Sequence, residues 1–277
     1  MRRQASAVRP IWRAPISRAG PTSSSWLCLT ATPEPADLSR LRVAWSEDFG
    51  GAPVEKGIRE TLSARIASMR SLFKSCEKIK LDLGEADRCF DAVRALSFVQ
   101  RYQKAYEENR DLLGPNIRAN YELGAKMTLA DVAWAQAEQT RIYRRFQDLY
   151  KDYDLILGPT VGVTPFPWTK LYLDEMDGKA LRNYYHWLAP TYFITLVTNP
   201  AISIPCGVDH KGMPFGLQVI GPYQRDASLL SAAAAMEAAF ERTDDMRRPR
   251  PNIAKLGKPT PELKSIVTHP PKKADIG

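Results

Sequence analysis

Six residues, Asp154-Leu155-Ile156-Leu157-Gly158-Pro159, set the tightest limit on what this chain can fold into. Successive side chains of a strand point to opposite faces, so three consecutive large aliphatics leave neither face for water. A strand of this kind belongs inside a sheet covered on both sides. Glycine and proline end it, since proline cannot donate to a ladder. The surrounding pattern agrees. Leu41-Arg42-Val43-Ala44-Trp45 alternates as a strand does and runs into a loop with Gly50, Gly51 and Pro53. Ile58, Leu62, Ile66, Met69 and Phe73 recur at helical spacing and form one apolar stripe. Ala201-Ile202-Ser203-Ile204 and Phe215 to Ile220 read as two further strands joined by a turn at Asp209 to Gly212. Strands interspersed with long helices specify an α/β layer architecture rather than a bundle or a sandwich.

The remaining elements are expected as follows. Lys78 to Leu81 forms a second short strand, and a helical stripe runs through Phe90, Val93, Val99 and Tyr102. Thr128 and Asp131 form a capping box that opens a helix toward Tyr150. Gly178 to Val197 is a helix bent or divided at Pro190, with aromatic residues at Tyr184, Tyr185, Trp187, Tyr192 and Phe193. Asp226 caps a last helix whose apolar face is Leu229, Ala233, Met236 and Phe240. No run of about 18 uncharged apolar residues is present, so no membrane span is expected.

Charge sorts the partners. The net charge of +8 comes from the ends. Residues 1–40 carry six basic and two acidic side chains and residues 241–277 carry nine and five, which leaves 24 of each sign between them. A domain that tracks phosphates concentrates positive charge on its folded face, and here the body is neutral, so nucleic acid is not an expected partner. The first 33 residues combine arginines with Pro10, Pro15, Pro21 and Pro33 and read as a disordered arm. Residues 251–277 read as a solvated Pro/Lys-rich tail. Cys28, Cys76, Cys89 and Cys206 are spaced for neither a disulfide scaffold nor a zinc cage, which points to a reduced, cytoplasmic chain. The arginine-rich start leaves mitochondrial targeting as the alternative.

Two blocks carry a family resemblance. Asn199-Pro200-Ala201-Ile202-Ser203-Ile204-Pro205-Cys206-Gly207 is followed by Gly212-Met213-Pro214-Phe215-Gly216-Leu217-Gln218-Val219-Ile220-Gly221-Pro222, then by Asp226, Leu229, Leu230 and Glu237. Together with Leu155 to Thr160 and Leu41 to Pro53, they resemble the C-terminal half of amidase signature enzymes. The similarity spans about residues 41–250, with 1–40 an unplaced arm and 251–277 a tail. It implies one mixed sheet flanked by helices. It also implies a hydrolase that splits carboxamides to a carboxylic acid and ammonia or amine, with no metal and no organic cofactor. In that family a lysine deprotonates a bridging serine, which activates a second serine for attack. The backbone N–H groups of a Gly-Gly-Ser-Ser-Gly-Gly loop stabilise the oxyanion.

That chemistry has no counterpart among these residues. The first lysine is Lys56, no Gly-Ser-Ser-Gly run occurs, and the triplet Ser23-Ser24-Ser25 lacks flanking glycine. No residue is therefore assigned as catalytic, and the chain alone is expected to be inactive. Substrate contact is the role the resemblance leaves open, with Thr160, Val161, Trp187, Tyr192 and Cys206 as pocket candidates and the aromatic cluster suited to an aryl or other apolar acyl group. The plainer reading of all five is packing. Cys206 and His210, four residues apart on the turn between two strands, invite a cysteine-nucleophile reading, the plainer one being that Cys206 packs at a strand end while His210 sits exposed in the turn, and His186, His210 and His269 are too scattered for a metal set. Asp152 and Asp154 more simply end a helix and start a strand. The expected partner is a small-molecule amide. Self-association or a complementing N-terminal half is the alternative, as for a non-catalytic interaction module or one part of a split amidase.

Overall fold

The computed structural model describes residues 34–167 and 170–257. Five strands form one mixed sheet in the order β2-β1-β3-β7-β6. They are β1 (Arg42–Trp45), β2 (Ser75–Lys78), β3 (Leu155–Pro159), β6 (Ala201–Val208) and β7 (Pro214–Ile220). β1 runs parallel to β2 and β3, while β7 runs antiparallel to both β3 and β6. β3 is central, and all five of its residues are buried. β4 (Glu175–Met176) and β5 (Lys179–Ala180) form a separate hairpin.

The helices are α1 (Lys56–Met69), α2 (Ala86–Asn109), α3 (Pro115–Ala125), α4 (Leu129–Asp148), α5 (Ala189–Val197), α6 (Asp226–Phe240) and the short α7 (Ile253–Leu256). α1 buries Ile58, Leu62, Ile66 and Met69, the stripe expected from their spacing. α4 opens on the Thr128–Asp131 capping box, with both reciprocal bonds formed. α3 lies very close to α2: a Cβ built on Gly124 would come within 2.5 Å of the Ala95 carbonyl oxygen. α2 and α4 both pack on α5. α5 in turn sits on the sheet face that carries Gln218, whose amide donates to Pro190 O in its first turn. α6 packs on β6 and β7, and Leu229 meets Gly221 at the end of β7.

Four expectations need correction. Gly178 to Val197 is not one helix. Asp177 and Gly178 take positive φ (49° and 73°) and turn the β4–β5 hairpin, and only Ala189–Val197 is α-helical. Pro190 lies in that helix's first turn, where its missing N–H costs no bond, so it starts the helix rather than bending it. The second strand is Ser75–Lys78, and Leu81 is buried beyond its end instead of inside it. Asp226 is the first residue of α6, where its charge complements the helix dipole, and makes no capping hydrogen bond. Residues 34–40, assigned to the arm, are packed: Ala36 N donates to Ser231 O at 3.0 Å and Asp37 caps a turn at Leu38–Arg40. Residues 1–33 and 258–277 lie outside the described residues, as does most of what was assigned to the arm and tail.

The centre of the sheet depends on one notch. Phe49 is fully buried and adopts φ 49°, a conformation that costs a residue other than glycine roughly 1–2 kcal/mol. Its ring fills the space above Gly158 of β3, where an added Cβ would stand 2.1 Å from the ring's Cζ. Gly158→Ala should therefore lower stability by about 1–3 kcal/mol through overpacking, read as a fall in the urea midpoint with an unchanged slope.

Candidate functional site

The end of β3 and the edge of the sheet meet at a pair of hydroxyls. Thr160 Oγ1 and Ser203 Oγ are 2.7 Å apart. Gly216 keeps this spot open, since a Cβ there would come 2.8 Å from Ser203 Oγ and 3.0 Å from Thr160 Oγ1. Beside it the buried Gln218 amide donates to Pro159 O at 3.3 Å and to Pro190 O at 3.2 Å, which ties the end of β3 to the start of α5. The loop after Thr160 is held from below. Glu55 N donates to Gly162 O at 2.7 Å, Thr164 N donates to Glu55 Oε2 at 3.1 Å, and the Thr164 hydroxyl donates to Asp209. Burial alone would raise the Asp209 carboxyl. The Thr164 hydroxyl and the Met213 and Lys211 amides outweigh it and hold the acid below its ordinary value.

Next to this loop runs a band of aromatic rings, half-exposed except for the buried Tyr185. Phe166 and Trp187 meet edge to face at 5.3 Å between centroids, and Trp187 Nε1 donates to Tyr184 O at 3.1 Å. Tyr172 and Tyr185 flank Tyr184 at 6.0 and 5.0 Å. The band is pinned by two acids one helical turn apart on α2. Asp87 receives the Tyr192 hydroxyl and lies 3.2 Å from Arg182 Nη2 and 3.4 Å from His186 Nε2. Asp91 receives Tyr185 Oη at 2.6 Å and Arg182 Nη1 at 2.7 Å. Burial pushes the Asp87 carboxyl up, but His186, Tyr192 and Arg182 around it reverse the sign, so its pKa is lowered.

The five pocket candidates therefore separate. Thr160, with Val161 following it in the same loop, and Trp187 belong to neighbouring segments linked through Gln218. Tyr192 is buried, stacked on Phe90 at 4.1 Å with its hydroxyl committed to Asp87, so it braces the band instead of lining it. Cys206 is fully buried, its carbonyl accepts from Arg65 Nε at 3.3 Å, and burial pushes its thiol up to about 12. A sealed, protonated thiol is no nucleophile. His210 is exposed at the turn, its ring against Gly57. Asp154 is an ion-pair residue, gripped by Arg42 through Nε at 3.2 Å and Nη2 at 3.1 Å. Ser203, Gly216 and Gln218 were not singled out from sequence. A lone glutamine in an otherwise apolar strand was the available signal.

Because the folded-state pKa of Asp87 is lowered, its stabilising contribution is complete above the ordinary aspartate value of about 3.9 and disappears as pH falls through the lower folded value. Asp87→Asn should be less stable than the parent at neutral pH. It should also lose less further stability on acidification, so urea midpoints of the two proteins measured from pH 7 downward converge.

The comparisons with known proteins agree with this architecture. The sequence profile of the Amidase family matches residues 17–230, beginning inside the segment assigned to the arm. The chain is 26% identical over 205 residues to an acylamidase of Rhodococcus erythropolis, covering 73% of this chain and 43% of that protein. It is 26% identical over 245 residues to a component of the glutamyl-tRNA(Gln) amidotransferase of Listeria innocua, covering 78% and 48%. A crystal structure of a bacterial aryl acylamidase of the amidase signature family superposes with a TM-score of 0.64 at 19% identity, over 78% of this chain and 47% of that one, which is a likeness of fold. The chain thus spans about half the length of the curated relatives it matches. With the matched profile extending over most of the sequence and the mixed sheet shared, the chain belongs to the amidase signature family.

Proposed function

We propose that this chain is the C-terminal part of an amidase signature hydrolase, supplying the sheet framework and one wall of the amide-binding cleft but not the chemistry. The reading requires a lysine base, two serines and a glycine-rich oxyanion loop from elsewhere, and no metal or organic cofactor. Thr160, Val161 and Trp187 contact substrate in it, with the Phe166–Trp187 band against an aryl or other apolar acyl group. Tyr192 and Cys206 drop out as direct contacts, since one is braced by Asp87 and the other is sealed.

The observation that carries the proposal is the edge strand β6. Natural edge strands are guarded by charge, yet Trp187 to Val208 is a run of 22 residues without a charged side chain. Gly221 N donates to Pro200 O at 2.9 Å, so by antiparallel alternation the backbone groups of Ala201, Ser203 and Pro205 point away from β7. Proline lacks only the outward N–H, as edge prolines do. Ala201 and Ser203 are exposed, and Ser203 meets the Thr160 hydroxyl, so a strand added here would bring new residues to the mouth of the cleft. That is where a complementing half would place its catalytic groups.

Two outcomes are expected. The purified 277-residue chain should not hydrolyse anilides or fatty amides above the buffer rate. Turnover abolished by changing one of its own serines, Ser203→Ala for example, would overturn the assignment. In the absence of a partner the Ala201–Pro205 stretch of the edge, ahead of the Cys206 and Val208 carbonyls that Arg65 caps, should drive concentration-dependent association in sedimentation equilibrium. Ser203→Lys, which adds the missing charge, should shift the equilibrium toward monomer, and an unaltered equilibrium would count against β6 as the contact edge.

A further inference from the structure

Arg94, on α2, is half-buried and is not paired with any carboxylate among the described residues. The acid closest to it in sequence, Asp91, is engaged by Arg182 and Tyr185. Arg94 is surrounded by rings: its guanidinium carbon lies 4.8 Å from the centroid of Phe98, 4.7 Å from Tyr185 and 5.8 Å from Tyr184. Nε donates to Asn120 Oδ1 at 3.2 Å and Nη2 donates to Tyr184 Oη at 2.7 Å. These bonds fix the plane of the guanidinium and leave Nη1 without a protein acceptor among the described residues.

Counting donors and acceptors shows an imbalance. Asn120 is buried and spends its two N–H groups on Asn116 O at 2.6 Å and Tyr184 Oη at 3.0 Å. Tyr184 Oη therefore accepts twice, from Arg94 and from Asn120, and its own proton has no acceptor among the described residues. Two donors, Arg94 Nη1 and the Tyr184 hydroxyl, are presented side by side with one uncompensated positive charge. Arginine is always protonated, so the site cannot relieve the imbalance by losing a proton. The rings of Phe98, Tyr184 and Tyr185 lie around the guanidinium, and the half-buried Phe98 and Tyr184 leave apolar surface beside it that suits a flat body.

We propose that Arg94 and Tyr184 form a binding site for an aromatic carboxylate. One carboxylate oxygen accepts from Arg94 Nη1 and from the Tyr184 hydroxyl, and the aryl ring lies against the Phe98 and Tyr184 rings. The negative charge of the ligand supplies the acceptor that the described residues lack. Binding at Arg94 needs no turnover and no complementing half, so it is measured independently of the hydrolase reading.

The test is calorimetric titration of the intact chain with benzoate, with benzamide as the uncharged isostere. Benzoate should saturate a single site at concentrations up to about 10 mM. Benzamide should bind at least about tenfold more weakly, since it removes the charge that meets Arg94. Arg94→Gln should abolish benzoate binding. Because that variant also loses the Asn120 and Tyr184 contacts, Tyr184→Phe provides a second arm: it keeps the ring and Arg94 but leaves Arg94 Nη2 and one Asn120 N–H without the hydroxyl they share, so its urea midpoint should fall while the protein stays folded without urea, and it should weaken benzoate severalfold. Absence of saturable benzoate binding, equal affinity for benzamide, or benzoate affinity unchanged in both variants would each overturn the proposal.

Discussion

The fold depends on a strand that water never reaches. Leu155, Ile156 and Leu157 give β3 two apolar faces, and every other layer is placed by the need to cover them. β1 and β7 pair with its two edges, α5 covers one face of the sheet, and Phe49 is driven into the notch above Gly158 at the cost of a left-handed backbone. The strand ends at Pro159, and one further backbone bond, from Thr160 N to Gly216 O at 3.2 Å, holds Thr160 at the rim. The position of the hydroxyl pair is thus set by where a buried strand has to stop.

Around that rim the molecule handles polar groups in two ways. Asp87 and Asp91 are saturated: each collects a cation and a tyrosine hydroxyl, and together they lock the aromatic segment to α2. Gln218 is likewise satisfied by two carbonyls and fixes α5 against the end of β3. The β6 edge and the Arg94–Tyr184 pair are different, because each presents backbone or side-chain groups that nothing in the described chain completes. Polar satisfaction separates the framework from the surfaces open to a partner or ligand more clearly than residue type does.

Much of this was legible beforehand. β3, the α1 stripe, the Thr128 capping box and the β6–β7 pair could be read from periodicity and turn residues, because each is decided within one local stretch. The 178–197 segment could not. Its apolar and aromatic content looks helical, but Gly178 turns a hairpin and Pro190 starts a helix, and only backbone geometry separates those roles from a kink. Of the pocket candidates, Thr160, Val161 and Trp187 fall in neighbouring segments, while Tyr192 and Cys206 are turned into the interior. Spacing along the chain does not say which way a side chain faces when the element carrying it is covered on both sides.

The sequence by itself determined the layer architecture, the family and the lack of a Gly-Ser-Ser-Gly loop within these residues, since all three are properties of composition and order. Only the tertiary structure decided which polar groups are paired. Asp87 with Arg182 and Tyr192, Thr160 with Ser203, and Arg94 with Asn120 and Tyr184 join residues up to about a hundred positions apart. Such pairings follow from how the layers stack, because hydrogen bonds act over a few ångströms of space and take no account of separation along the chain.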